Sequence, residues 1–330
     1  MSKEKVKVAF YWCASCGGCE EAVVDALAFL EDKMLDVLEQ LEIVFWPVAI
    51  DMKRSDVEAL KDGEIVVSFI NGAIRLSEQE DMVKLLRRKS KIVIAYGACS
   101  YMGGIPSLAN LHDREKIFNY IYKEAPTIVN PTGVVPQTEV EVPEGKLELP
   151  LFYNTVRALD QVIDVDYYIP GCPPAPETTV NALQALLSGQ LPPKGSVIGA
   201  GNRALCDECP LNETKPEKIA ITEFKRLATS APEPDKCFLA QGFVCMGPVT
   251  REGCGARCIK VNRPCQGCYG PLDNVTDYGA RAASYLASIL DVPPDSKAIE
   301  KALSNLPDPI GKFYMFSLAK SLFKGKVVKK

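Results

Sequence analysis

Apolar residues in the first half of the chain follow two alternating rhythms. Val6 to Trp12 is a nearly unbroken apolar run, which suits a strand buried on both faces. From about Glu20 to Leu41 apolar residues recur at Val23, Leu27, Leu30, Met34, Leu38 and Leu41, close to the helical period. Glu20 and Glu21 suit the first turn of that helix, where the dipole favours negative charge. Ile43 to Ile50 reads as a second strand, weakened by Pro47, and Ile65 to Ile70 as a third. Ser77 and Glu80 have capping-box spacing for a helix running to about Arg88. Lys91 to Tyr96 follows as a fourth strand, then a helix near Asp113 to Lys123, a short strand at Tyr167 to Pro170, and a helix from about Glu177 to Leu187. This alternation predicts an α/β fold, a flavodoxin-like doubly wound parallel sheet that places ligands past the carboxyl ends of its strands.

The rhythm then fades. Residues 124–150, rich in Pro, Gly, Val and Thr, read as an extended excursion, and Ser188 to Gly201 as a linker. Beyond it the pattern is irregular until a final helix at about Asp277 to Leu290. The expected division is 1–190 for the sheet domain and 191–330 for a smaller, irregular domain with a basic tail. Hydrophobic residues make up 47% of the chain, enough for a real core, and a net charge of −4 gives no electrostatic case for nucleic acid. No stretch approaches the ~20 apolar residues of a membrane span. The opening Met-Ser-Lys-Glu-Lys has no twin-arginine pair, apolar leader or cleavage site, so a cytoplasmic protein is expected. Gly311 to Lys330 holds six lysines and no acid. With Phe313, Phe316, Leu322 and Phe323, that tail reads as a solvated or partner-packed terminus, or as an amphipathic docking segment.

Thirteen cysteines and one histidine change the picture. Twelve of the cysteines sort by spacing into three sets of four: Cys16, Cys19, Cys99 and Cys172; Cys206, Cys209, Cys237 and Cys245; Cys254, Cys258, Cys265 and Cys268. In a reducing cytosol dense cysteine argues for metal over disulfides. Four thiolates are what one cubane iron–sulfur cluster needs, so three sets read as a wire for electrons, with three 4Fe-4S clusters as cofactors. Zinc is the rival for the later eight, since Cys206/Cys209 and Cys265/Cys268 each have half-site spacing. Cys245 and Cys254 could exchange sets without breaking the count. The second half, with eight cysteines in 63 residues, is expected to have a small apolar core and to lean on its metal. Cys13 is left over, and a buried small hydrophobe is its simplest role. His112 has no second histidine and reads as a loop residue. Glu20, beside Cys19, reads either as a proton relay at a subunit boundary or as an ordinary first-turn acid.

Cys16-Gly-Gly-Cys19, Gly97-Ala98-Cys99-Ser-Tyr-Met-Gly103-Gly104-Ile-Pro and Gly171-Cys172-Pro173-Pro174 together resemble the small subunit of nickel–iron hydrogenases, over about Val6 to Tyr269. The resemblance implies a proximal cluster on Cys16, Cys19, Cys99 and Cys172, facing a nickel–iron centre in a large-subunit partner. It implies a distal cluster on Cys206, Cys209, Cys237 and Cys245, where many members begin with histidine. The medial cluster falls on Cys254, Cys258, Cys265 and Cys268, with Cys258 where periplasmic members often carry proline. These departures look like the cytoplasmic branch, most of all the methyl-viologen-reducing, F420-non-reducing hydrogenase of methanogens. That likeness implies a small delta-type iron–sulfur subunit and heterodisulfide reductase as further partners. An F420-reducing hydrogenase or sulfhydrogenase small subunit, and a zinc-stabilised interaction module, are the alternatives. The small quinone-reducing subunit of complex I shares the first fold, but typically has adjacent paired cysteines and no eight-cysteine extension.

Overall fold

A computed structural model describes residues 5–306 and 308–322. Its centre is a sheet of β1 (Val6–Trp12), β2 (Leu41–Phe45), β3 (Ile65–Asn71), β5 (Ser90–Tyr96), β9 (Tyr167–Ile169) and β10 (Ser196–Val197). Two small antiparallel pairs stand apart from it: β4 (Ile74–Leu76) with β8 (Phe152–Arg157), and β6 (Glu139–Val142) with β7 (Gly145–Glu148). The main sheet runs β10-β9-β5-β3-β1-β2, every pair parallel. This is the doubly wound flavodoxin order with one strand added.

Period-two alternation sends the two faces into two cores. Val8, Phe10, Val67, Phe69, Ile94 and Tyr96 meet the helices Gly18–Phe29 and Pro176–Ser188 on one side. Ala9, Ile70, Val93 and Ala95 meet the helices Arg54–Ala59 and Ser77–Lys89 on the other. Each large side chain buried this way contributes about 1.5–3 kcal/mol.

Several elements differ from the sequence pattern. The helix expected over residues 20–41 is broken: Gly18–Phe29 ends, a 3₁₀ turn spans Glu31–Lys33 with Glu31 at φ 49°, and Met34–Gln40 resumes. A continuous helix of that length would run about 33 Å, against about 23 Å for a seven-residue strand, and would overshoot the sheet. β2 stops at Phe45, because the Trp46 carbonyl closes a turn with the Ala49 and Ile50 N–H groups. The helix after β4 is capped by Gln79, whose Oε1 accepts from the Arg75 and Leu76 N–H groups. Ser77 instead accepts from the Leu151 N–H at 2.9 Å. The stretch read as a linker carries the edge strand β10.

The second half has a larger core than its irregular pattern promises. Seventeen buried residues, among them Phe224, Phe238, Phe243, Tyr278, Leu286 and Phe313, form one apolar cluster around Cys245 and Cys265. Tyr269 stitches it to the first half: its hydroxyl accepts from the Ala175 N–H at 2.9 Å and lies 2.9 Å from Thr178 Oγ1. Tyr269→Phe leaves that buried N–H without an acceptor and is expected to cost about 1–3 kcal/mol. A thermal unfolding midpoint unchanged from wild type would refute it.

The helix Tyr278–Ser288 is not the last. Ser296–Leu303 and Pro309–Phe313 follow it, and the chain then packs back on the first half. Gly104 N–H donates to the Phe316 carbonyl at 3.0 Å, and Gln161 Nε2 to the Ala319 carbonyl at 2.8 Å. Lys320 pairs with Asp160 and lies over the rings of Tyr101 and Tyr168. The tail through Ser321 is therefore seated on its own chain. Phe323, Lys324, Lys326, Lys329 and Lys330 lie outside the described residues. Among the described residues no helix is long and apolar enough to cross a membrane.

Candidate iron–sulfur sites

Three strand ends build the first site. β1 runs into Cys13, an Ala14–Ala73 bridge, and then the loop carrying Cys16 and Cys19. β5 runs into Gly97-Ala98-Cys99, and β9 into Gly171-Cys172; the two loops are tied by Ala98 N–H donating to the Gly171 carbonyl at 2.6 Å. Burial, then the nearby thiols of Cys99, Cys172 and Cys16, push the Cys19 pKa well up. The loops leave room only for sulfur: a Cβ on Gly97 would overlap Cys19 Sγ, and one on Gly104 would overlap Cys99 Sγ. Backbone donors face the thiols, Gly18 N–H reaching Cys16 Sγ at 3.5 Å and the Ile105 backbone bonding Cys99.

In the second site burial raises the Cys206 pKa to about 12, with Cys245, Cys209 and Cys237 as charged neighbours. Burial likewise holds Cys245 at about 11, against the backbone donors of Gly247 and Cys265. In the third, burial raises Cys268 to about 12, with Cys254 and Cys258 among its neighbours. Cys254 in turn takes backbone hydrogen bonds from Ala256 and Arg257. Cys245 thus has Cys206, Cys209 and Cys237 among its neighbours, and Cys265 as well, while Cys254 has Cys258 and Cys268. The three sites also touch one another. The Cys172 backbone donates to the Cys268 thiol, and Cys265 N–H donates to Cys245 Sγ at 3.3 Å. Cys268 therefore meets Cys172 on one side, and Cys265 meets Cys245 on the other.

This donor set suits clusters. Soft sulfur at four corners, glycines cleared for it and N–H groups aimed at it are what an iron–sulfur centre takes from a protein. Among the described residues no three His, Cys, Asp or Glu side chains are close enough to hold a single ion. A cubane makes no such demand, because each thiolate binds a different iron. Loading at these raised-pKa thiols displaces their protons.

The remaining candidates separate cleanly. Cys13 is 5% exposed and packs with Ala9, Ile70 and Ile74, away from the other sulfurs. Cys13→Ala is expected to keep the full iron content while costing about 1–2 kcal/mol of stability; iron analysis and a melting curve test both. His112 is exposed after a 3₁₀ turn. Glu20 is no exposed first-turn acid: it is buried, with Trp46 Nε1 and Asn71 Nδ2 (2.6 Å) both donating to its carboxylate. Burial raises its pKa and these two donors pull it back. Neither partner is a sequence neighbour, so no local pattern announced the network. Lys312, whose ammonium donates to Gln266 Oε1 at 2.7 Å beside Cys265, was also hidden in the basic tail.

The family described as NADH ubiquinone oxidoreductase, 20 Kd subunit, matches residues 16–186. The iron–sulfur subunit of the F420-non-reducing hydrogenase of Archaeoglobus profundus is 41% identical over 98% of this chain and 99% of its own length. The corresponding F420-non-reducing hydrogenase subunit of Methanothermobacter marburgensis is 37% identical over 99% and 98%. The chain belongs to the hydrogenase small-subunit family. A solved chain of the [NiFeSe] hydrogenase from Desulfovibrio vulgaris Hildenborough shares the fold, with TM-score 0.53 and 18% identity over 82% of this chain and 95% of that one. As a member of the family, the protein is an oxidoreductase subunit whose catalytic site lies in another chain, a large subunit, and its cofactors are iron–sulfur clusters.

Proposed function

We propose that the chain carries electrons from hydrogen oxidised at a nickel–iron large subunit, through three 4Fe-4S clusters, to an acceptor in the cytoplasm. Cys16, Cys19, Cys99 and Cys172 hold the proximal cluster, Cys254, Cys258, Cys265 and Cys268 the medial, and Cys206, Cys209, Cys237 and Cys245 the distal. Such clusters take and release electrons without transforming a substrate. The observation that carries the reading is the pair of sulfur–backbone contacts, Cys172 to Cys268 and Cys265 to Cys245, which join the groups end to end. The protein's part is to fix the sulfurs and aim N–H groups at them. In this reading residues 1–190 hold the proximal group and 191–330 the other two. A delta-type iron–sulfur subunit and heterodisulfide reductase are the acceptors that the family likeness favours.

Iron and acid-labile sulfide per chain, on protein purified without oxygen, test the proposal. About 12 of each supports it. About two zinc and no sulfide would replace it with an interaction module. Cys258→Pro adds a sharper check: the oxidised variant should give a three-iron paramagnetic signal, and full iron content without that signal would remove Cys258 from the medial set.

A further inference from the structure

Lys312 lies on the five-residue helix Pro309–Phe313, capped by Asp308, whose Oδ1 accepts from Gly311 N–H at 2.8 Å. The helix buries Phe313 in the same apolar core as Cys245 and Cys265. Lys312 is thereby held half-buried, its ammonium donating to Gln266 Oε1 at 2.7 Å. Gln266 is itself fixed, Nε2 donating to the Pro264 carbonyl at 2.9 Å. It follows Cys265, whose N–H reaches Cys245 Sγ at 3.3 Å. The cation is thus tethered to the turn where the third and second cysteine groups meet. Burial lowers its pKa, and attraction to Cys245 and Cys265 works against that. Cys245 and Cys265 are the groups whose charged forms act on it. An exposed lysine would be screened over about 10 Å; this one is screened less.

We propose that the Lys312 ammonium, held by Gln266, raises the reduction potentials of the clusters that meet at Cys245 and Cys265. The proposal rests on the cluster assignment above. A reduced cluster carries one more negative charge than its oxidised form, so a fixed cation stabilises the reduced form more. Local charge is one of the levers a protein has on such potentials. The effect draws electrons away from the proximal end of the chain. Lys312 touches no reacting atom and is a positioning charge.

The test uses the whole hydrogenase complex, purified without oxygen, with Lys312→Met, Lys312→Gln and Lys312→Arg. Iron and sulfide are counted first, and each cluster's paramagnetic signal is then titrated against ambient potential. In the two neutral variants the reduced-to-oxidised ratio of a medial or distal signal at fixed potential should fall about tenfold, a negative shift of about 59 mV for one electron. The proximal signal should stay, and Lys312→Arg should titrate like wild type. Unmoved potentials in both neutral variants would overturn the proposal. So would an equal shift in Lys312→Arg, which assigns the effect to packing, or loss of iron from both neutral variants, which assigns it to assembly. Wild-type complex with far fewer than about 12 iron per chain sinks the cluster assignment instead, and is seen before any titration.

Discussion

Replacing Cys172 by serine should cut hydrogen-dependent viologen reduction by the complex more than about a hundredfold, since even an outer-shell partner of a metal is worth about 10–100-fold. Cys172 occupies two positions at once. Its thiol is one of four gathered at the strand ends, where Cys19 senses Cys99, Cys172 and Cys16. Its backbone donates to the Cys268 thiol of the next group. Serine keeps the backbone donor and removes the soft ligand, so the loss reports the thiolate alone. Hydrogen binding and isotope exchange happen in the large subunit and should persist. Retained exchange with lost viologen reduction marks a cut wire, whereas loss of both marks a complex that failed to assemble. Viologen reduction at the wild-type rate would remove Cys172 from the electron path.

The sheet was legible where strands are buried on both faces. β1, β3 and β5 read as largely apolar runs because helices cover both of their faces. The strand-end cysteines were legible for a related reason, since a parallel sheet gathers its carboxyl ends on one edge. What stayed hidden depends on distant partners. Ser77 had the right spacing to cap its own helix, but the Leu151 N–H, brought in beside β8, takes its hydroxyl. Glu20 read as a proton relay or an ordinary first-turn acid, and nothing local announced that Trp46 and Asn71, delivered by β2 and β3, close over it. The core around Cys245 escaped because its aromatics, Phe224, Phe238 and Phe243, come from loops with no period to read. The break at Glu31 reflects the width of the sheet, a dimension that no local window contains.

Under the proposed assignment, the order of the three cysteine groups in space differs from their order in sequence. The group ending at Cys245 precedes the Cys254 group along the chain, yet it is reached through Cys265 and Cys268, which meet Cys245 and Cys172. That arrangement places Cys265 and Cys268, three residues apart, at the two junctions. A short loop therefore sets both gaps, and substitutions within Cys265-Gln-Gly-Cys268 should disturb both transfers together.

Gly97→Ala should strip the proximal site while leaving the other two loaded. Gly97 has φ +87° and its N–H donates to the Ile169 carbonyl at 2.8 Å, so the loop cannot slide away from β9. An added Cβ would overlap Cys19 Sγ, and Cys19 is fixed on the first turn of the helix Gly18–Phe29. Two costs add: about 1–3 kcal/mol for a side chain at such a dihedral, and displacement of the sulfur itself. Gly195→Ala separates them. Gly195 has φ +88° but nothing within 4 Å of an added Cβ, so it carries the backbone cost alone. Iron should fall to about 8 per chain in Gly97→Ala and stay near about 12 in Gly195→Ala, with the paramagnetic signals of the later eight cysteines present in both. Equal iron in the two variants would mean that Cys19 can move without losing its cluster, or that it holds none. Loss of all iron from Gly97→Ala alone would mean that the later groups depend on the first for their folding, which the separate apolar core around Cys245 and Cys265 argues against.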